Sequence, residues 1–102
     1  VRFIEVKYKL TDLAFQFDGL LEKSSDESLA FDERKRAFMD SAKTIGKIVQ
    51  LYRDTRPLYP DSIRTVLDDK LSQCDEKDED GLLNVIVFVQ AFNEEVSKLS
   101  GN

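Results

Sequence analysis

At 102 residues and 11.7 kDa the chain is long enough to bury one real core and too short for two. Lys and Arg number 15 against 20 Asp and Glu, giving a net charge of −5 and a pI near 4.7. That balance argues against nucleic acid, whose phosphates need an excess of cations, and against an anionic membrane surface.

The hydrophobic share of 41% with 34% charged residues is that of a soluble, helix-rich domain. No apolar run approaches the ~20 residues of a membrane span. The single cysteine, Cys74, has no internal partner, which suits a reducing compartment, and Arg2 and Glu5 interrupt any secretory pattern at the start. The expected location is intracellular, in the cytoplasm. The chain lacks an initiator Met and opens inside a helical pattern, as a fragment of a longer protein would.

The first predicted helix covers 2–21. Phe3, Val6, Leu10, Leu13, Phe17 and Leu20 recur three and four apart on one stripe, and Ile4, Tyr8, Phe15 and Leu21 widen it toward a bundle core. In a fragment the same stripe is also able to serve as one half of a homodimeric coiled coil. Lys23 to Ser28 is polar and turn-like, with Asp26 or Ser28 placed to cap the second helix. That helix is expected over 29–54, with Phe31, Phe38, Ala42, Ile45, Val49 and Tyr52 on its stripe, Met39 and Ile48 beside it, and Gly46 inside. The basic clusters Arg34-Lys35-Arg36 and Arg53 with Arg56 read as solvated helix face. Pro57 and Pro60 end this segment, and Tyr52 and Tyr59 are placed to pack the connector onto the bundle.

Asp61-Ser62 starts a third helix over 61–74, with Ile63, Val66, Leu67, Leu71 and Cys74 inward and Asp68 and Asp69 as ordinary surface. Five carboxylates then fall in the six positions 75–80, ahead of Gly81. The run Val85-Ile86-Val87-Phe88-Val89 suits a strand by propensity, but no partner strand exists and the pattern continues through Ala91, Phe92, Val96 and Leu99 at helical spacing. The spacing predicts a fourth helix over 82–98. It is apolar nearly all round at its start and is expected to be the most buried. The fold class is therefore all-α, a compact bundle of four main helices forming a single domain.

Catalysis finds little support. With no His, neither Ser–His nor Cys–His pairs can form, no His/Cys zinc site can be assembled, and no glycine-rich phosphate loop is present. No cofactor is implied, and Cys74 ending an apolar stripe reads as a small core residue.

Two stretches are spaced like cation loops, which want oxygens at positions one, three, five, seven, nine and twelve. From Glu76, the acids Asp78 and Asp80 come at alternate positions, Gly81 takes the turn, Leu83 the apolar place and Asn84 the ninth, while Val87 stands where the bidentate carboxylate belongs. From Glu22, Ser24 and Asp26 supply oxygens and Glu33 stands twelfth, with Glu27 in the glycine place and Ala30 ninth. Over most of residues 10–98 the chain resembles a degenerate, paired EF-hand unit. The resemblance implies a unit that does not bind calcium and docks another helix. The order of four amphipathic helices, with Asp80-Gly81 leading into Asn84 to Val89, is also similar to focal-adhesion-targeting-like four-helix bundles, which implies scaffolding through interhelical grooves.

The function expected from these features is a non-enzymatic interaction or adaptor module that takes a partner's amphipathic helix in an apolar groove. Leu82, Val85, Ile86, Val89 and Phe92, with Phe38 and Phe17, are the residues expected to line or support it. Two alternatives belong to other classes. One is a calcium-responsive sensor using the Glu22 and Glu76 loops. The other is a small acidic inhibitor or immunity-type protein that masks a basic enzyme surface with the acidic stretch.

Overall fold

A computed structural model describes residues 2–74 and 81–101. The order is α1 (Phe3–Ser24), α2 (Phe31–Thr55), a 3-10 turn (Arg56–Leu58), α3 (Asp61–Ser72) and α4 (Gly81–Leu99), with no strand among the described residues. The chain is an all-α helical bundle. Its acidic stretch, including Glu76, Asp78 and Asp80, lies outside the described residues.

Local chemistry accounts for the boundaries. The first break comes at residues 25–30, where the Asp26 carboxylate accepts hydrogen bonds from the Ser28 amide (3.0 Å) and hydroxyl (2.6 Å). These bonds hold the Asp26 carboxyl below the ordinary carboxylate range, with a smaller contribution from the charge of Arg34. Neither Asp26 nor Ser28 caps α2 as expected. The N-cap is Ala30, without a side-chain bond, and Asp26 Oδ1 takes both Ser28 bonds inside the turn instead. Pro57 falls within the 3-10 turn, where its missing N–H costs nothing, and Pro60 stands as N-cap of α3. The Asn84 amide donates to the Gln73 carbonyl at 3.0 Å, tying the start of α4 to the end of α3.

The core gathers at one end of the molecule. Val6 and Leu10 of α1, Ile48 and Tyr52 of α2, Tyr59, Leu67 of α3, and Phe88, Val89, Phe92 and Val96 of α4 form one buried cluster. Tyr52 is its hub. Its ring stacks on Tyr59 (6.1 Å between centroids) and meets Phe88 and Phe92 edge-on at 5.7 and 5.4 Å. Its hydroxyl donates to Asp68 Oδ1 at 2.6 Å, and burial together with this acceptor pushes its pKa up to about 12. Arg56 grips the same carboxylate through Nε and Nη2, which with the Tyr52 bond holds the Asp68 carboxyl down at about 2. Asp68 is thus the clamp that joins α2, the 3-10 turn and α3, and not the ordinary surface expected of it. Tyr59 closes the connector from below, with its hydroxyl 2.5 Å from that of Thr55. Burial pushes the Tyr59 pKa up.

The stripe assignments are corrected on all four helices, and on α3 Val66, expected inward, is exposed while Leu67 is buried. On α2 the buried residues are Ala37, Ser41, Thr44, Ile48, Tyr52 and Thr55. Phe38, Ala42, Ile45 and Val49 each stand one residue after a member of that row, 100° around the helix. The inward row is mostly small, which lets α1 approach closely. The Ser41 and Thr44 hydroxyls donate to the Phe38 and Asp40 carbonyls, so their burial leaves no orphan. On α1, Val6, Leu10 and Phe17 are buried, whereas Ile4, Tyr8 and Phe15, each two residues earlier and so 200° around, are exposed instead of widening the core. And α4 is not buried all round. Gly81, Phe88, Val89, Phe92 and Val96 are inside, but Leu82 and Leu83 are exposed. Only α1 and α3 pack extensively on it, which leaves an outer side free.

Candidate functional site

The molecule measures 45 × 27 × 20 Å, and its long dimension reflects unequal helices. α1 and α2 have 22 and 25 residues, while α3 has 12. No hydrophobic residue of α1 beyond Ala14, nor of α2 before Ile45, joins or packs on the four-helix cluster. The remainder of the α1–α2 hairpin is a two-helix arm reaching about 15–20 Å past the core at 1.5 Å per residue. Phe17, Ala37, Ser41 and Thr44 are buried along it.

The arc of α2 that runs Phe31, Phe38, Ala42, Ile45, Val49 tracks this change of environment. Ile45 and Val49 pack against the four-helix core, but Phe38 is 55% exposed and Phe31 68% exposed. The charges near this arc are of both signs: within α2 Arg34 and Lys35 flank Phe31 and Phe38, but Asp26 acts on Arg34 by charge and Asp32 and Asp40 share a hollow with Lys35. The acids Asp32, Glu33, Asp40 and Asp54 occupy the other faces of α2, where Asp40 approaches Lys43 and Asp54 accepts from Gln50. Among the described residues Arg34, Lys35 and Arg53 make no ion pair, and Arg34 Nε is buried without a hydrogen-bond partner.

The seven residues expected at a groove do not share one surface. Phe17, Val89 and Phe92 are buried, Val85 is half-buried and packs on the core, and Ile86 is half-buried. Leu82, 47% exposed, and Phe38 are the two open to solvent. Phe31 and the basic residues beside it were not among the seven. The available signal was the second continuous row on α2, Ala37-Ser41-Thr44-Ile48. Two rows 100° apart cannot both face one neighbouring helix.

Of the first cation-loop set, Glu22 and Ser24 lie in the last turn of α1, Glu33 in the first turn of α2, and Asp26 between them. The Ser24 hydroxyl donates to the Leu21 carbonyl at 2.7 Å, and Asp26 is engaged by Ser28. Asn84 of the second set is bonded to Gln73. Among the described residues no three His, Cys, Asp or Glu side chains gather as metal ligands would. Cys74 donates to the Lys70 carbonyl, and burial raises its pKa, the direction opposite to an activated thiolate.

Hollows of about 280 and 370 Å³ lie along the hairpin, the first bordered by Leu20, Lys23, Glu33 and Arg36, the second by Lys9, Asp12, Lys47 and Asp54. Both are rimmed by charges of both signs, unlike the apolar enclosure of a small-molecule site. No helix among the described residues is long and apolar enough to cross a membrane. Models of known protein families, curated proteins and solved structures were all compared with the chain, and none matches it.

Proposed function

We propose that this protein is a non-enzymatic adaptor whose two-helix arm docks an amphipathic helix of a partner protein. One observation carries the reading. The apolar arc of α2 is covered at Ile45 and Val49 and left open at Phe38 and Phe31, so a helix laid on the arm would continue the layer that ends with the four-helix core. Aromatic side chains in such a position bury large areas on contact, about 150–250 Å² each when fully covered. They are the anchors that dominate interface energetics.

Hydrophobic-dye fluorescence and light scattering on the full chain test the reading. Wild type binds the dye, and Phe31→Ser with Phe38→Ser lowers the signal more than Tyr8→Ser with Phe15→Ser, which removes two comparably exposed aromatics from α1. All four residues are exposed, so circular dichroism and Tm stay near those of wild type. A wild-type chain that binds no dye would overturn the proposal.

A further inference from the structure

We infer that the two-helix arm is a separate conformational unit: it opens and recloses while the four-helix core stays folded, and α2 breaks at Gly46 when it does. The inference stands on the contacts inside the arm and needs no docked partner.

Little holds the arm together. Over residues 15–24 and 31–44 the buried side chains are Phe17, Ala37, Ser41 and Thr44, of which Phe17 alone is large and apolar. The core, by contrast, encloses Tyr52, Phe88, Phe92, Leu10, Ile48 and Leu67 almost completely. Among the described residues no side-chain hydrogen bond or ion pair joins the two helices of the arm. Ser41 and Thr44 bond to carbonyls of their own helix, and Asp40 approaches Lys43 on that same helix. The core does carry such bonds between elements, from Tyr52 and Arg56 to Asp68 and from Asn84 to Gln73. A region with few buried apolar contacts opens at lower free energy than the core it adjoins.

The break has a place. Ile45 is the first hydrophobic residue of α2 to pack on the core, and Gly46 follows it directly. Gly46 is exposed and an added Cβ would meet nothing within 4 Å, so no close approach calls for glycine there. Gly19, in the α1 half of the arm, is placed in the same way. What each glycine does is weaken its helix against unwinding. The Ser41 and Thr44 hydroxyls, bonded back to carbonyls, weaken α2 further on the arm side of Gly46. Once parted from the core, helical segments this short are marginal in water, where ~12–15 residues is the lower limit even for alanine-rich chains. Opening separates Phe31 and Phe38 from Ile45 and Val49, so the docking face is lost while the core remains.

Native-state hydrogen exchange of the full chain, read amide by amide by NMR, tests the inference. In wild type the amides of 18–24 and 35–44 should exchange at least about tenfold faster than those of 48–52 and 88–96. Leu67→Ala, in α3 and fully buried, should speed the core amides by at least about thirtyfold and leave the arm amides within about twofold of wild type. Tyr52→Phe, a milder change, should give the same pattern with about tenfold on the core amides. Gly46→Ala should slow the arm amides by about fivefold.

Arm amides as protected as the core in wild type, or sped up equally with it by Tyr52→Phe, would mean one cooperative unit and overturn the inference. Arm amides that keep their wild-type rates in Gly46→Ala while core amides slow would overturn the break at Gly46. Neither result touches the dye test of the docking face, which reads the closed state.

Discussion

The clamp at Asp68 offers the sharpest test of the packing. Tyr52→Phe removes one hydroxyl from a residue that is 1% exposed, and keeps the aromatic contacts with Tyr59, Phe88 and Phe92. A hydrogen bond to a charged acceptor contributes about 1.5–3 kcal/mol, but Asp68 keeps Arg56 and water in the variant, so about 1.5 kcal/mol is expected. For Asp68 the fall from 3.8 to about 2 sets a ceiling near 2.4 kcal/mol at 1.36 kcal/mol per pKa unit. The Asp68 and Arg56 side chains are 40% and 46% exposed, and solvent screening brings Asp68→Asn to about 1 kcal/mol.

Because the two variants share one bond, the double variant should cost about 0.5–1 kcal/mol less than their sum. Urea unfolding monitored by circular dichroism measures all three, and each kcal/mol should move Tm by about 4–8 °C in a domain of this size. The sign of the pH effect is set by the depressed folded pKa. The Asp68 contribution is fully present above its unfolded value near 3.8 and is lost as the pH falls through about 2, so Asp68→Asn should flatten that part of the stability profile. A Tyr52→Phe variant as stable as wild type, with an additive double variant, would refute the clamp.

Other expectations rest on neighbouring contacts. Tyr52, with its pKa raised to about 12, favours folding fully below pH 10, and that contribution should vanish between pH 10 and 12, visible as steepened alkaline unfolding that Tyr52→Phe lacks. Gly46→Ala should raise stability by up to about 1 kcal/mol in urea, since the glycine is exposed within α2 and an added Cβ meets nothing within 4 Å. Ser41→Leu should lower stability by about 1–3 kcal/mol by forcing α1 and α2 apart, whereas Ala42→Leu, on the outward row beside it, should stay within about 0.5 kcal/mol of wild type.

The helices themselves were determined by the sequence. Proline positions, the polar break after Lys23 and apolar spacing are local signals, and the ends expected at 54, 61 and 98 fall within one residue of Thr55, Asp61 and Leu99. The apolar run of α4 was rightly placed in a helix, because helical spacing continued through Phe92 and Val96.

Which face of each helix looks inward was decided only by the tertiary structure. Both α1 and α2 carry two apolar rows of helical period, and periodicity alone weighs large side chains above small ones. Close packing reverses that preference on α2. Ala37, Ser41 and Thr44 let α1 approach, and the larger Phe31 and Phe38 are left on the next arc. Their exposure then depends on reach. α3, with 12 residues, and α4 cover the hairpin only as far as Ala14 and Ile45, a fact that belongs to relative helix lengths and docking heights. Asp68 was equally opaque, since its partners Tyr52 and Arg56 lie sixteen and twelve residues away and meet it only when α3 folds back across the connector.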